Sequence, residues 1–121
     1  MEFSKEELEK AISLLSSIIT NCEKMQLKFL EGTSQHSLLK NRIKSLYISK
    51  ALLSGNKTTN YTSKDLREAL HPIVSIINKT TKAQSKYEKG SSKFNRFKHI
   101  IQAMFISKTF IESQININSE L

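Results

Sequence analysis

His36, His71, His99 and Cys22 are the side chains of this chain best suited to nucleophilic, acid–base or metal chemistry. Their spacing supports none of it. The histidines are scattered, and apart from Glu68, three residues before His71, no Cys or carboxylate stands at ligand spacing from any of them, so a metal site is not expected. One Glu-x-x-His run occurs, Glu68 to His71, where di-iron bundles need one on each of two helices. The three glycines, Gly32, Gly55 and Gly90, form neither a dinucleotide fingerprint nor a phosphate loop. His36 falls beside a helix start, where it reads as a capping or surface residue. Cys22 lies on an apolar helical stripe, where a free thiol behaves as a small hydrophobe. The expectation is a non-enzyme without cofactor.

The residues left with a chemical role are bases. Formal charge is +8 and the pI about 9.7, which bears on partners rather than on fold. Lys24, Lys28, Lys79, Lys82, Lys86 and Lys89 lie toward the ends of two helical segments whose starts carry Glu2, Glu6, Glu7, Glu9, Asp65 and Glu68. The helix dipole accounts for that order. It does not account for Lys40, Arg42 and Lys44, nor for Lys93, Arg96, Lys98 and His99, which stand where the next two helices begin. Free helix-start amides point at the same place, and Thr33, Ser34, Ser91 and Ser92 add hydroxyls. The candidate anion-binding set is Lys24, Lys28, Thr33, Ser34, His36, Lys40, Arg42, Lys82, Lys86, Lys89, Lys93, Arg96 and Lys98. It would take a nucleic acid or another polyanion; the alternative is a solvated basic end. Few aromatics are available there for stacking on bases, Phe94 being the obvious one.

The elements that position these residues are written twice. An ungapped offset of 58 lays Phe3 on Tyr61, Leu8 on Leu66, Ala11 on Ala69 and Ile18-Ile19 on Ile76-Ile77. It also pairs Lys24 with Lys82, Gln26 with Gln84, Gly32 with Gly90, and Ile48-Ser49-Lys50 with Ile106-Ser107-Lys108. Each copy opens with a capping box, Ser4 to Glu7 and Thr62 to Asp65, flanked by a staple of Phe3 with Leu8 or Tyr61 with Leu66. Apolar residues then recur at helical steps: Leu8, Ala11, Ile12, Leu15, Ile18, Ile19, Cys22, Met25 and Phe29 in the first copy. Gly32 and Gly90 stand as C′ residues after these stripes, and Ser34 and Ser92, or Thr33 and Ser91, cap the next helices.

Short connections make antiparallel neighbours. The expected fold is therefore all-α, an up-down-up-down four-helix bundle made of two tandem hairpins in one domain over 1–121. The hairpins cover 3–55 and 61–113, a linker runs from Gly55 to Asn60, and 114–121 form a frayed tail. Pro72 replaces Leu14 inside the third helix and is expected to kink it near residues 68 to 72. The later turns of the second and fourth helices are apolar around most of their circumference. Ile48, Leu52, Ile106 and Phe110, with Lys50 and Lys108 beside them, are candidates for a homodimer interface. The two lysines either snorkel over apolar surface or pair with a charge across such an interface.

No apolar run approaches a membrane span, and the acidic N-terminal segment shows no signal core. A cytoplasmic location is expected. The segment from Glu31 to Lys44, EGTSQHSLLKNRIK, resembles one found in an uncharacterised family of short duplicated-hairpin helical proteins of low-GC Gram-positive bacteria. The resemblance implies the doubled-hairpin fold along most of the chain and implies no activity, so it assigns no functional residue. Two functions follow from the residues. The first is a non-catalytic helical binding or adaptor protein acting through contacts with a protein partner. The second is a nucleic-acid or anion-binding accessory protein that uses the basic pole.

Overall fold

A computed structural model describes residues 2–55 and 61–119. Four helices follow in order: α1 Lys5–Gln26, α2 Ser34–Leu53, α3 Ser63–Gln84 and α4 Ser92–Ser119. Both predicted capping boxes form. Ser4 Oγ accepts from the Glu7 amide at 3.0 Å while Glu7 Oε1 accepts from the Ser4 amide at 3.0 Å. Thr62 and Asp65 make the same exchange at 3.0 and 3.2 Å. Each box satisfies two of the amides that a helix start leaves without partners. At the staple positions, Leu66 is wholly buried, and Phe3, Leu8 and Tyr61 pack against the core.

The helices form a four-helix bundle. α1 packs on α2 and α4, α3 packs on α4 and α2, and α2 meets α4 across the diagonal; among the described residues α1 and α3 do not touch. The N-terminal half of α1, from Phe3 to Leu14, faces α4 between His99 and Ile106, and Phe3 stacks on Phe110 with ring centroids 6.1 Å apart. α3 from Asp65 to Ser75 faces α2 between Leu38 and Ile48. Both pairs run antiparallel, so the tips of the two hairpins lie at one end of the bundle.

The diagonal contact explains which residues are covered. α2 and α4 each touch all three other helices, and buried positions occur on more than one of their faces: Leu39, Leu46, Ile48 and Leu53 on α2, Ala103, Met104, Ile106 and Ile111 on α4. Ser45, Ser49 and Ser107 are buried too. Small side chains at such positions let helices approach closely. Ser49 and Ser107 each donate to the carbonyl four residues back, Ser45 O at 2.9 Å and Ala103 O at 2.8 Å, so those hydroxyls are satisfied within their own helices.

Three expectations are corrected. The stripe of α1 does not run to Phe29: the helix ends at Gln26, and Met25 and Phe29 are exposed. Gly32 and Gly90 are not C′ residues. Each lies six positions beyond the last helical residue, in the left-handed region at φ 91° and 89°, one residue ahead of Thr33 or Ser91. A Cβ at either position would meet nothing within 4 Å; backbone conformation, not space, is what calls for glycine. Finally, residues 114 to 119 are helical and not a frayed tail. Ile115 packs against the core, and Asn118 Nδ2 donates to Tyr61 O at 3.4 Å. Of the expected linker only Gly55, and of the tail only residues up to Ser119, lie within the described residues. α3 runs unbroken through Pro72, although the proline leaves the Glu68 carbonyl without its helical donor.

Candidate binding surfaces at the hairpin tips and clefts

The two tips are built by the same bonds. In the first, the amides of Lys28, Phe29 and Thr33 donate to Met25, Gln26 and Leu30 carbonyls at 3.0, 3.1 and 3.2 Å. In the second, Lys86, Tyr87 and Ser91 donate to Ala83, Gln84 and Glu88 at 3.2, 3.0 and 3.1 Å. Every position is shifted by 58. Thr33 caps α2 by accepting from the His36 amide at 3.2 Å and donates its hydroxyl to Leu30 O at 2.8 Å. Ser91 accepts from the Phe94 amide at 3.2 Å. The caps are therefore Thr33 and Ser91, while Ser34 and Ser92 are first helical residues. Thr33 Oγ is committed to the turn, which removes it from the candidate anion set.

Lys24, Lys28, Lys40, Lys82, Lys86, Lys89, Lys93, Arg96 and Lys98 are all exposed at this end, as is Ser34. The ion pairs among the described residues involve Lys5, Lys44, Lys64 and Lys108, so none neutralises a tip base. Lys93 Nζ lies 5.2 Å from the centroid of Tyr87, whose ring in turn packs 5.8 Å from Phe97. Phe94 is half-buried, with its carbonyl accepting from Gln84 Nε2 at 3.2 Å. One base leaves the set. Arg42 turns into the α2–α3 cleft, and its Nε is covered without a partner. His99 likewise lines the α1–α4 cleft, with Nδ1 covered and unpartnered. His36 is half-buried beside its cap.

The homodimer candidates do not form a surface. Ile48 and Ile106 are 2% and 7% exposed, inside the chain's own core, and Leu52 and Phe110 pack against it. Lys50 is partly covered, and Lys108 reaches Glu112 of its own helix at 3.9 Å. That contact fits a snorkelling stem with its ammonium at the surface. Cys22 is buried, and burial pushes its thiol pKa up against the opposing pull of the Arg42 charge; a nucleophile needs the reverse. Among the described residues, no group of three His, Cys, Asp or Glu side chains could hold a metal ion.

Two clefts separate the hairpins. The α1–α4 cleft, about 440 Å³, has a floor of Ala11, Leu14, Ala103 and Ile106 with Phe3 and a half-exposed Phe105 at its edges. The α2–α3 cleft, about 570 Å³, holds the counterparts of those floor residues, Ala69, Pro72, Ser45 and Ile48, but is ringed by Arg42, Lys44, Asp65, Glu68 and His71.

Exposed apolar residues at the first tip are the feature that the periodicity concealed. Leu27 is 87% and Leu30 81% exposed, with Met25, Phe29 and Leu38 also open to solvent. The repeat carries the signal that reveals them: Leu27 and Leu30 fall on Ser85 and Glu88, and a position that accepts serine or glutamate in one copy is not a core position.

The chain matches no protein-family model, no curated protein and no solved structure. No described helix is long and apolar enough to cross a membrane.

Proposed function

We propose that this chain is a non-catalytic binding protein that holds an apolar segment of a partner protein in the α1–α4 cleft. The observation behind this reading is Phe105. It is half-exposed beside an apolar floor, and Glu6, Glu7, Lys10 and Gln102 make a polar rim. An apolar centre within a polar rim is the anatomy of a protein-binding surface, and an exposed aromatic at its edge is the residue type that dominates such interfaces. The test is affinity capture from the native host with wild type and Phe105→Asp. A partner held by wild type and lost by the variant supports the reading. An unchanged set of captured proteins sinks it.

A second reading, a nucleic-acid or polyanion-binding accessory protein, is favoured by the exposed tip bases, which make no ion pair among the described residues. It requires DNA or RNA binding that falls steeply with salt. Changing Lys40, Lys82, Lys86 and Lys98 together to Gln must remove that binding.

A further inference from the structure

The two hairpin tips share one backbone design and differ in what they display. The second tip makes the same turn with Ser85 and Glu88 where the first has Leu27 and Leu30, and Ala83 and Arg96 stand where the first has Met25 and Leu38. The fold therefore does not require leucines at the first tip. Leu27 and Leu30 stand in water on a turn held by its own hydrogen bonds.

The charge is divided the opposite way. Lys79, Lys82, Lys86, Lys89, Lys93, Arg96 and Lys98 lie along the second tip against a single acid, Glu88. The first tip offers fewer bases, Lys24, Lys28 and Lys40, and Glu23 and Glu31 oppose them. Both tips lie at one end of the bundle. At the other end, the acids at or near the starts of α1 and α3, Glu2, Glu6, Glu7, Glu9, Asp65 and Glu68, are interleaved with Lys5, Lys10, Lys64 and Arg67. Unopposed positive charge is thus concentrated at the end that also carries the most exposed leucines.

From this division of labour we infer that the hairpin-tip end docks on an anionic lipid bilayer. Leu27 and Leu30 enter the interface, and the lysines of the second tip hold the headgroups. Reversible membrane attachment takes two signals, buried apolar area and a polybasic patch, and an anionic surface attracts each nearby base. A nucleic-acid backbone would use the bases and leave the leucines in water. Leu27 and Leu30 protrude from a turn, and a fluid bilayer receives a protrusion without a matching pocket. Docking in this way leaves the α1–α4 cleft unused and does not depend on its proposed partner.

The test is flotation with vesicles of phosphatidylcholine alone and with about one part in three of phosphatidylglycerol. Wild type binds the mixed vesicles at least about tenfold more tightly than the neutral ones. Leu27→Ser with Leu30→Glu gives the first tip the residues of the second, in positions that touch no core. This variant keeps its helical circular dichroism and binds the mixed vesicles at least about tenfold more weakly. Changing Lys82, Lys86, Lys89 and Lys93 to Gln brings binding to the mixed vesicles down to the neutral-vesicle level. In a Leu27→Trp variant, tryptophan emission shifts to the blue on binding. No binding by wild type, equal binding to both vesicles, equal binding by the leucine variant, or no emission shift each overturns the inference. DNA binding that survives Leu27→Ser/Leu30→Glu, with vesicles ignored, assigns the bases to nucleic acid instead.

Discussion

Lys44 Nζ lies 3.4 Å from Asp65 Oδ1, linking the middle of α2 to the first turn of α3 across the α2–α3 cleft. The counterparts of these residues 58 positions away are Gln102 and Glu7, which cannot form an ion pair. The two clefts are alike in their small apolar floors and unlike in the chemistry of their walls. Exposed pairs of this kind contribute little to stability. What the pair and its cap change is the titration of Asp65.

Asp65 accepts from the Thr62 amide and lies beside the Thr62 hydroxyl and Lys44; these hold its carboxyl below the usual carboxylate range, with the backbone hydrogen bond foremost. A group whose pKa is depressed by folding stabilises the fold above its unfolded value and loses that contribution as pH falls through its folded value. Asp65→Asn should therefore lose stability at neutral pH and show a shallower decline into acid than wild type. Urea titrations at neutral and acidic pH measure both. Parallel pH profiles would count against the assignment.

Burial separates the apolar residues into two groups with opposite expectations. Leu46 and Ile73 are wholly covered, so truncating either to Ala should cost about 2–5 kcal/mol. Leu27→Ala should change stability by no more than about 0.5 kcal/mol. Urea midpoints give both values. A costly Leu27→Ala would mean that the first tip is structural after all.

Pro72 interrupts the hydrogen-bond ladder of a helix that continues on both sides of it. Pro72→Ala restores a donor to the Glu68 carbonyl and should stabilise the chain by about 1–3 kcal/mol. Thermal unfolding reads the result. A lower melting temperature would show that the proline ring contributes packing in the α2–α3 cleft that alanine cannot replace.

The Cys22 thiol is buried and raised in pKa, so it should react slowly with a thiol reagent in the folded protein and quickly in urea. Labelling rates that follow the unfolding curve are the expected outcome. A fast native reaction would place Cys22 at a dynamic or open site.

Helix starts were legible because capping is local. Ser4 with Glu7, and Thr62 with Asp65, need only their own three-residue spacing to satisfy the first amides. The first-tip surface was hidden for a related reason. Met25 and Phe29 keep helical spacing after the helix has ended, and periodicity continues through a turn that it cannot detect. The end of α4 shows the opposite case. Residues 114 to 119 lack a strong stripe, but Tyr61 and the core give Asn118 and Ile115 partners that no local pattern shows.

Four helices, the capping boxes of α1 and α3 and the antiparallel hairpins are legible in the sequence, since these follow from short-range hydrogen bonding and from the apolar period of α1 and α3; the choice of Thr33 over Ser34 and of Ser91 over Ser92 is not. What α2 and α4 do with apolar residues around most of their circumference depends on how the helices pack together. Periodicity cannot choose a face for such helices, because every face qualifies. Packing chose: the diagonal meeting of α2 and α4 covers Ile48 and Ile106 inside the chain, with Ser49 and Ser107 satisfied by their own helices. A pair of residues that reads as an interface between copies is thereby the centre of one.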